Sequence, residues 1–262
     1  MQIEKWRVSD YVSEAQLAEW RANDANDAVN SAPFEERWRW LEEKAQARGF
    51  RDWLRYARRL GVSVHGEVVE LGAGTFWLTS LLSSLPDVER VSGIELSEAR
   101  VAAFADISLK MFGGDGRKIR WVIGDMHRID MADRSVDLVA CDATLHHADN
   151  LVAVLREARR VLKPGGWFIA TREHMVAAYR PSPTFDERTP ENGSAMYYYR
   201  GGWRSAFLNG RYEAIRMCRF YEDMTVKGIF IPRHVQPLFR PLMLPIWLRS
   251  YPKVAIAARR PA

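Results

Sequence analysis

A chain of 262 residues, 47% hydrophobic and 27% charged, has the composition of an ordinary globular protein. It can bury one sizeable core and leave roughly 30–40 residues for a lid or cap. The formal net charge of +5 is modest, and the basic residues are scattered, so composition gives no argument for nucleic acid. The main basic cluster, Arg156, Arg159 and Arg160, has the spacing of a solvated helix face. Two cysteines inside apolar runs, Cys141 and Cys218, imply no disulfide framework and fit a reducing cytoplasm. The opening MQIEKWRVSD lacks the apolar core of a signal peptide, and no apolar run approaches the ~20 residues of a membrane span.

Residues 1–62 read as a helical, amphipathic cap. Ser13-Glu14-Ala15-Gln16 has capping-box spacing before Leu17 and Trp20. Phe34, Trp38 and Leu41 mark one face of a second helix; Trp53, Tyr56, Ala57 and Leu60 mark a third, stopped by Gly61. From Glu67 the period changes. Strands are expected at 67–71, 90–96, 119–123, 136–141 and 167–171, with helices between them and the turns Gly72-Ala73-Gly74, Gly113 to Gly116 and Pro164-Gly165-Gly166. Near-continuously apolar strands alternating with helices predict a parallel α/β sheet with helices on both faces. Residues 175–200 read mainly as loop, followed by a helix over Trp203 to Leu208. Closing strands are expected at 212–220 and 253–258, around a proline-interrupted apolar segment, 226–251. That segment is expected to be buried in the chain's own core or to form a subunit interface, without stable membrane binding.

Val68 to Thr75 delivers a strand into a glycine turn and then a helix, where backbone can approach a ligand. Glu95 ends the next strand, 23 residues after Gly72, where Rossmann-like sites place an acid on ribose hydroxyls. A dinucleotide fingerprint wants a small residue at position 77; the residue is Trp77, which disfavours NAD. Gly124-Asp125-Met126 follows the third strand, where a carboxylate could accept from an exocyclic amine.

In this order E-L-G-A-G-T, I-E-L-S, G-D-M, S-V-D-L-V and V-L-K-P-G-G closely resemble the motifs of class I S-adenosylmethionine (SAM)-dependent methyltransferases. The resemblance spans roughly residues 66–174, and the fit is to the broad subgroup acting on small molecules and sugars. It implies a Rossmann-like, seven-stranded, mostly parallel sheet with strand seven antiparallel, in a domain over 63–262 with insertions at about 175–203 and 226–251. Gly72, Ala73 and Gly74 would meet the methionine portion of SAM, with Glu70 near its amino group. Glu95 would hold the ribose, and Asp125 with Met126 would frame the adenine. Leu96 and Asp142 complete the cofactor set. Phe76 stands where many members have a further glycine.

Methyl transfer is an in-line displacement, so alignment supplies much of the acceleration. An oxygen or nitrogen acceptor can also need a base. His146 and His147, after the fourth strand, are the first candidates; His174 or Glu173, after the fifth, is the second. Either histidine of the pair could instead pack at a helix start or border the cofactor. Asp142, Asp149 and the three histidines could converge on a metal, but adjacent histidines rarely share an ion and methyl transfer needs none, so no metal is expected. Cys141 suits core packing better than nucleophilic attack. Tyr197, Tyr198, Tyr199 and Trp203 could stack on an acceptor or simply pack.

The expected function is SAM-dependent methyl transfer to oxygen or nitrogen of a small-molecule or sugar acceptor, with no nucleic-acid partner and with a homodimer as one possibility. A tRNA or protein methyltransferase, and a SAM-binding protein without transfer, are the alternatives.

Overall fold

The computed structural model describes residues 2–12, 14, 17–18, 22, 27–176, 198–226, 228–239, 241–242 and 253–262. The capping-box tetrapeptide, Trp20, Tyr197 and residues 243–251 of the late insertion lie wholly or mostly outside these residues.

The parallel centre of the sheet is built from β2 (Gly66–Leu71), β3 (Val88–Glu95), β4 (Ile119–Ile123), β5 (Val136–Asp142) and β6 (Leu162–Val176). Val68, Val69, Leu71, Val91, Val122, Leu138, Val139 and Ala140 are fully buried, because helices cover both faces and leave no polar side to alternate with. One antiparallel member follows: β11 (Lys253–Arg259) pairs antiparallel with β6 on one side and with β8 (Glu213–Phe220) on the other, so β8 runs in the direction of the central strands. Two strands extend the expected seven. β1 (Ile3–Lys5) adds to the free edge of β4, and β7 (Tyr198–Tyr199) pairs with β6. The order is β1-β4-β3-β2-β5-β6-β11-β8. Ile3–Lys5 was expected to be helical; three residues carry no period, and only the open edge of β4 makes them a strand.

Helices α1 (Ala28–Ser31), α2 (Phe34–Arg48) and α3 (Trp53–Arg59) precede the sheet. Gly49, in the left-handed conformation at φ 64°, ends α2. Leu41, Phe50, Trp53, Tyr56 and Leu60 enter the same apolar cluster as Val68, Leu78 and Leu138, so these helices share a core with one sheet face. Helix α4 (Trp77–Ser83) starts directly from the glycine turn. Helix α5 (Glu98–Met111) is capped by Ser97, whose side chain accepts from the Arg100 amide at 3.0 Å. Asn150 caps α6 (Leu151–Val161) in the same way. On the opposite face, Trp203 and Phe207 of α7 (Arg200–Asn209) pack with Leu155, Ala158 and Phe168. Among the described residues no helix is long and apolar enough to cross a membrane.

The late insertion begins with a hairpin of β9 (Met224–Val226) and β10 (Ile229–Ile231). Ile229, Phe230, Leu238, Phe239 and Leu242 are exposed, which excludes burial in the chain's own core for these five.

Phe76 precedes α4 with φ 59°, the left-handed region that glycine enters without cost. Its ring is fully buried against Trp121, 5.1 Å between centroids, so burial of a large aromatic offsets the backbone strain.

Candidate active site

Strands β3 and β4 lie to one side of β2, and β5 and β6 to the other, so the chain reverses direction between β2 and β5. Loops leaving the carboxyl ends of these two strands diverge and open a crevice. The observed cavity, of about 320 Å³, lies there and is lined from every parallel strand end. Gly72, Ala73 and Gly74 come from β2, Glu95 and Leu96 from β3, Asp125 and Met126 from β4, Asp142 to Thr144 from β5, and Arg172 and His174 from β6. Its volume falls in the range of about 300–1,000 Å³ typical of small-ligand sites.

The turn after β2 passes very close to the loop after β5. Thr144 donates its hydroxyl to the Gly72 carbonyl at 3.1 Å, and a Cβ on Gly72 would stand 2.3 Å from Thr144 Cγ2. Gly74 is different: at φ 55°, a Cβ there would meet only the Gly72 carbonyl oxygen, at 4.0 Å. Its missing side chain leaves a cradle open on the cavity.

Glu95 accepts the Gly74 amide at 2.6 Å and the Ser97 amide at 3.0 Å, which ties the glycine turn to the end of β3. Asp125 is enclosed. One oxygen accepts the His127 amide at 2.9 Å and faces His127 Nδ1 at 2.8 Å; the other accepts the Ser9 amide at 3.1 Å and the Ser9 hydroxyl. Burial pushes this carboxyl up, but the bonds from His127 and Ser9 outweigh it and hold the group below its usual range. Tyr11 stacks on the His127 ring at 5.5 Å, so the stretch after β1 forms a strap beside the cavity.

Glu70 does not line the cavity. It is 1% exposed, and its carboxyl bonds the Thr79 hydroxyl of α4. Burial pushes it up to about 8. The unfolded carboxyl, ionising near 4.5, sheds its proton first, so the folded state binds more protons between 4.5 and 8. Stability from this group is therefore complete below 4.5 and is lost as pH rises through 8. Glu70→Gln keeps a hydrogen-bonding group and removes the charge. It should flatten that slope and stabilise the chain at pH 8 by on the order of 2 kcal/mol, read from urea unfolding at pH 5 and 8. Parallel curves for both proteins would refute it.

Behind the β5 loop, Asp142 and Arg172 form a buried pair. Arg172 Nε donates to Asp142 Oδ1 at 2.8 Å, Nη2 bonds Oδ2, and the Thr171 hydroxyl adds a bond at 2.6 Å. The guanidinium lies over the Phe50 ring at 4.4 Å, and Phe50 stacks on Trp77 at 4.1 Å. Trp77, whose bulk disfavours a dinucleotide turn, thus forms part of the cavity floor.

Glu173 organises the catalytic candidates. Fully buried on β6, it accepts the Thr144 and Leu145 amides at 3.0 Å each and the His146 amide at 3.2 Å, and its Oε2 lies 2.8 Å from His146 Nδ1. Burial pushes this carboxyl up, yet the bonds and charge of His146 and the two amides hold it below the usual range. An ionised carboxylate only accepts, so Nδ1 carries the imidazole proton and Nε2 is the basic nitrogen. His146, His147 and His174 are brought together: His146 is 4.2 Å from His147 and 4.9 Å from His174 between ring centroids. For His174, burial and then the charge of Lys253 push the ring down to about 2, so it stays neutral and is a poor base. Among the described residues no metal-binding cluster is found. Cys141 is fully buried in β5, and burial pushes its thiol well up. Trp203 is a core residue whose indole donates to the His174 carbonyl at 3.0 Å.

Sequence reasoning missed Lys44, Arg48, Phe50 and Lys253, which also line the cavity. The i, i+4 spacing of Lys44 and Arg48 was visible, but charge at that spacing ordinarily marks a solvated face.

This arrangement defines a class: a doubly wound, Rossmann-like domain with a cavity of small-ligand size at its switch point. Residues 69–170 match the family described as "Methyltransferase domain", and they are a class I SAM-dependent methyltransferase domain. The chain is 30% identical over 105 residues to a malonyl-[acyl-carrier protein] O-methyltransferase of Hahella chejuensis, covering 40% of this chain and 36% of that one. It is 30% identical over 115 residues to a ubiquinone/menaquinone biosynthesis C-methyltransferase of Desulfotalea psychrophila, covering 44% of each. The chain thus spans less than half the length of these curated relatives. Among solved structures, it resembles a chain from the complex between the Haloferax volcanii Trm112 methyltransferase activator and the putative methyltransferase. There the TM-score is 0.63 at 18% identity, over 93% of this chain and 98% of that one.

Proposed function

We propose that this protein transfers a methyl group from SAM to an oxygen or nitrogen of a small acceptor, with His146 as general base. The observation that carries this is the His146–Glu173 pair, set into a cavity whose other walls are the glycine turn, Glu95 and Asp125. The residues fit SAM: Gly74 leaves an open cradle, and Glu95 ends the strand beside it. Gly72, Ala73 and Gly74 would hold the methionine portion, Glu95 with Leu96 the ribose, and Asp125 with Met126 the adenine. SAM, when bound, supplies an electrophilic methyl on a sulfonium. The chain's own work is to align the acceptor and to receive its proton at His146 Nε2 as the new bond forms. Glu173 holds the ring in the needed tautomer and stabilises the imidazolium that results. The two curated relatives act on oxygen and on carbon; a buried, carboxylate-oriented imidazole favours an acceptor that must lose a proton.

The test is ligand choice. SAM and S-adenosylhomocysteine should raise the melting temperature, by an amount corresponding to about 2.7 kcal/mol at a hundredfold excess over Kd, whereas NAD should not. Glu95→Ala should weaken S-adenosylhomocysteine binding by about 1–3 kcal/mol in calorimetry, since ribose hydroxyls would lose a buried acceptor. Equal shifts with NAD, or none with either adenosyl ligand, would sink the proposal.

A further inference from the structure

The cavity wall beyond the glycine turn is cationic to a degree that the cofactor cannot use. Lys44 and Arg48 sit one turn apart on α2 and reach the cavity from one side. Arg172 on β6 and Lys253, opposite His174 at the start of β11, reach it from the sheet. Two carboxylates answer four cations. Asp142 holds Arg172, and Glu222 takes Lys253 at 2.6 Å while standing 3.8 Å from Arg172 Nη1. Among the described residues, neither Lys44 nor Arg48 has a carboxylate within ion-pair distance; Lys44 lies over the Trp40 ring at 4.1 Å. Arg172 is 3% exposed; its Nη1 is buried without a hydrogen-bond partner, and Glu222 Oε1, 3.8 Å away, lacks one as well. The two are ion-paired but too far apart to hydrogen-bond, which leaves room at Nη1 for an acceptor group. The cations also repel one another. Burial first, then the charges of Arg48 and Arg172, push the Lys44 ammonium well down. SAM brings one carboxylate to this region, along with a cationic ammonium and a sulfonium, so it cannot neutralise both unanswered cations.

We propose that the methyl acceptor is itself an anion, a small molecule whose carboxylate or phosphate docks against Lys44, Arg48 and Arg172 Nη1. This rests on the methyltransferase reading of the same cavity. Guanidinium nitrogens and an ammonium converging on one wall suit a multi-oxygen anion. Binding there would present the remainder of the acceptor toward His146.

Calorimetry on the full chain at constant ionic strength tests this, with inorganic phosphate and acetate as probes. Each is titrated into the complex with S-adenosylhomocysteine and into the complex with 5′-methylthioadenosine, which lacks the amino-acid moiety. Saturable binding of either probe to both complexes is the expected result, and the tighter probe identifies the anionic group. In the S-adenosylhomocysteine complex, Lys44→Gln with Arg48→Gln should weaken it at least tenfold, whereas Arg204→Gln on the exposed face of α7 should not. Binding to the 5′-methylthioadenosine complex alone would overturn the proposal, because all the cations would then serve the cofactor's carboxylate. Binding to neither complex would overturn it too. If neither adenosyl ligand binds, the methyltransferase reading itself falls, an outcome the calorimetry separates from the others.

Discussion

His146→Ala should lower methyl transfer by about 10²–10⁴-fold while leaving S-adenosylhomocysteine affinity nearly unchanged. The measurement is incorporation of labelled methyl from SAM into acceptor fractions of a lysate, alongside calorimetry. The size follows from the pair's construction. Glu173 accepts three backbone amides from the turn that carries His146, in addition to facing Nδ1 at 2.8 Å, so ring orientation and turn geometry are fixed together. Glu173→Gln separates positioning from proton transfer. The variant keeps the shape of the side chain and removes the charge that stabilises the imidazolium, so turnover should fall while S-adenosylhomocysteine affinity holds. A purely structural role for Glu173 would lower both together. His174→Ala should cost far less, because burial and neighbouring cations already hold that ring neutral. Unchanged turnover in both His146→Ala and Glu173→Gln would mean that alignment alone carries the reaction.

Asp142→Ala should destabilise the folded chain by about 3–5 kcal/mol, the usual consequence of stranding one member of a buried ion pair. For a chain of this size that is a fall of roughly 10 °C in melting temperature. Arg172 has nowhere to turn: its side chain is 4% exposed, it rests on Phe50, and burial already pushes its guanidinium down to about 9. Asp142→Ala combined with Arg172→Met should recover most of the loss, since neither member of the buried pair is then left without its partner. Thermal melts of the ligand-free chain decide it. A single substitution within about 0.5 kcal/mol of wild type would show that the pair is solvated in solution.

Phe76, Asp142 and Trp203 mark how far local signals reach. The glycine turn, the acid 23 residues on and the alternation of apolar strands with helices placed the cavity, because each depends on near neighbours in sequence: a period of two or 3.6, a cap, a turn. The order of motifs along the chain likewise implied the central seven strands, and β11 is antiparallel to its neighbours as expected. Phe76 looked like a departure from the pattern, and only packing explains it, since Trp121 lies 45 residues away and fills the space against its ring. Asp142 lines the cavity, where its place after β5 put it, and only the fold shows that its oxygens are also engaged by Arg172 and Thr171. Trp203 read equally well as a stacking platform or as core, and fold geometry put it in the core.

The amino-acid sequence by itself determined the class of sheet, the glycine cradle and the strand ends that line the cavity. Tertiary structure alone decided that His146 has the Glu173 carboxylate behind it, why Ile3–Lys5 is a strand, and which cations face the cavity. The physical reason is range. Periodicity, capping and turn chemistry act within a few residues and are written in the local order of side chains. Convergence of Lys44 with Lys253, or of Glu173 with His146, depends on how distant segments close around one core. There, burial and unanswered charge, neither of which has a local signature, set the chemistry of the site.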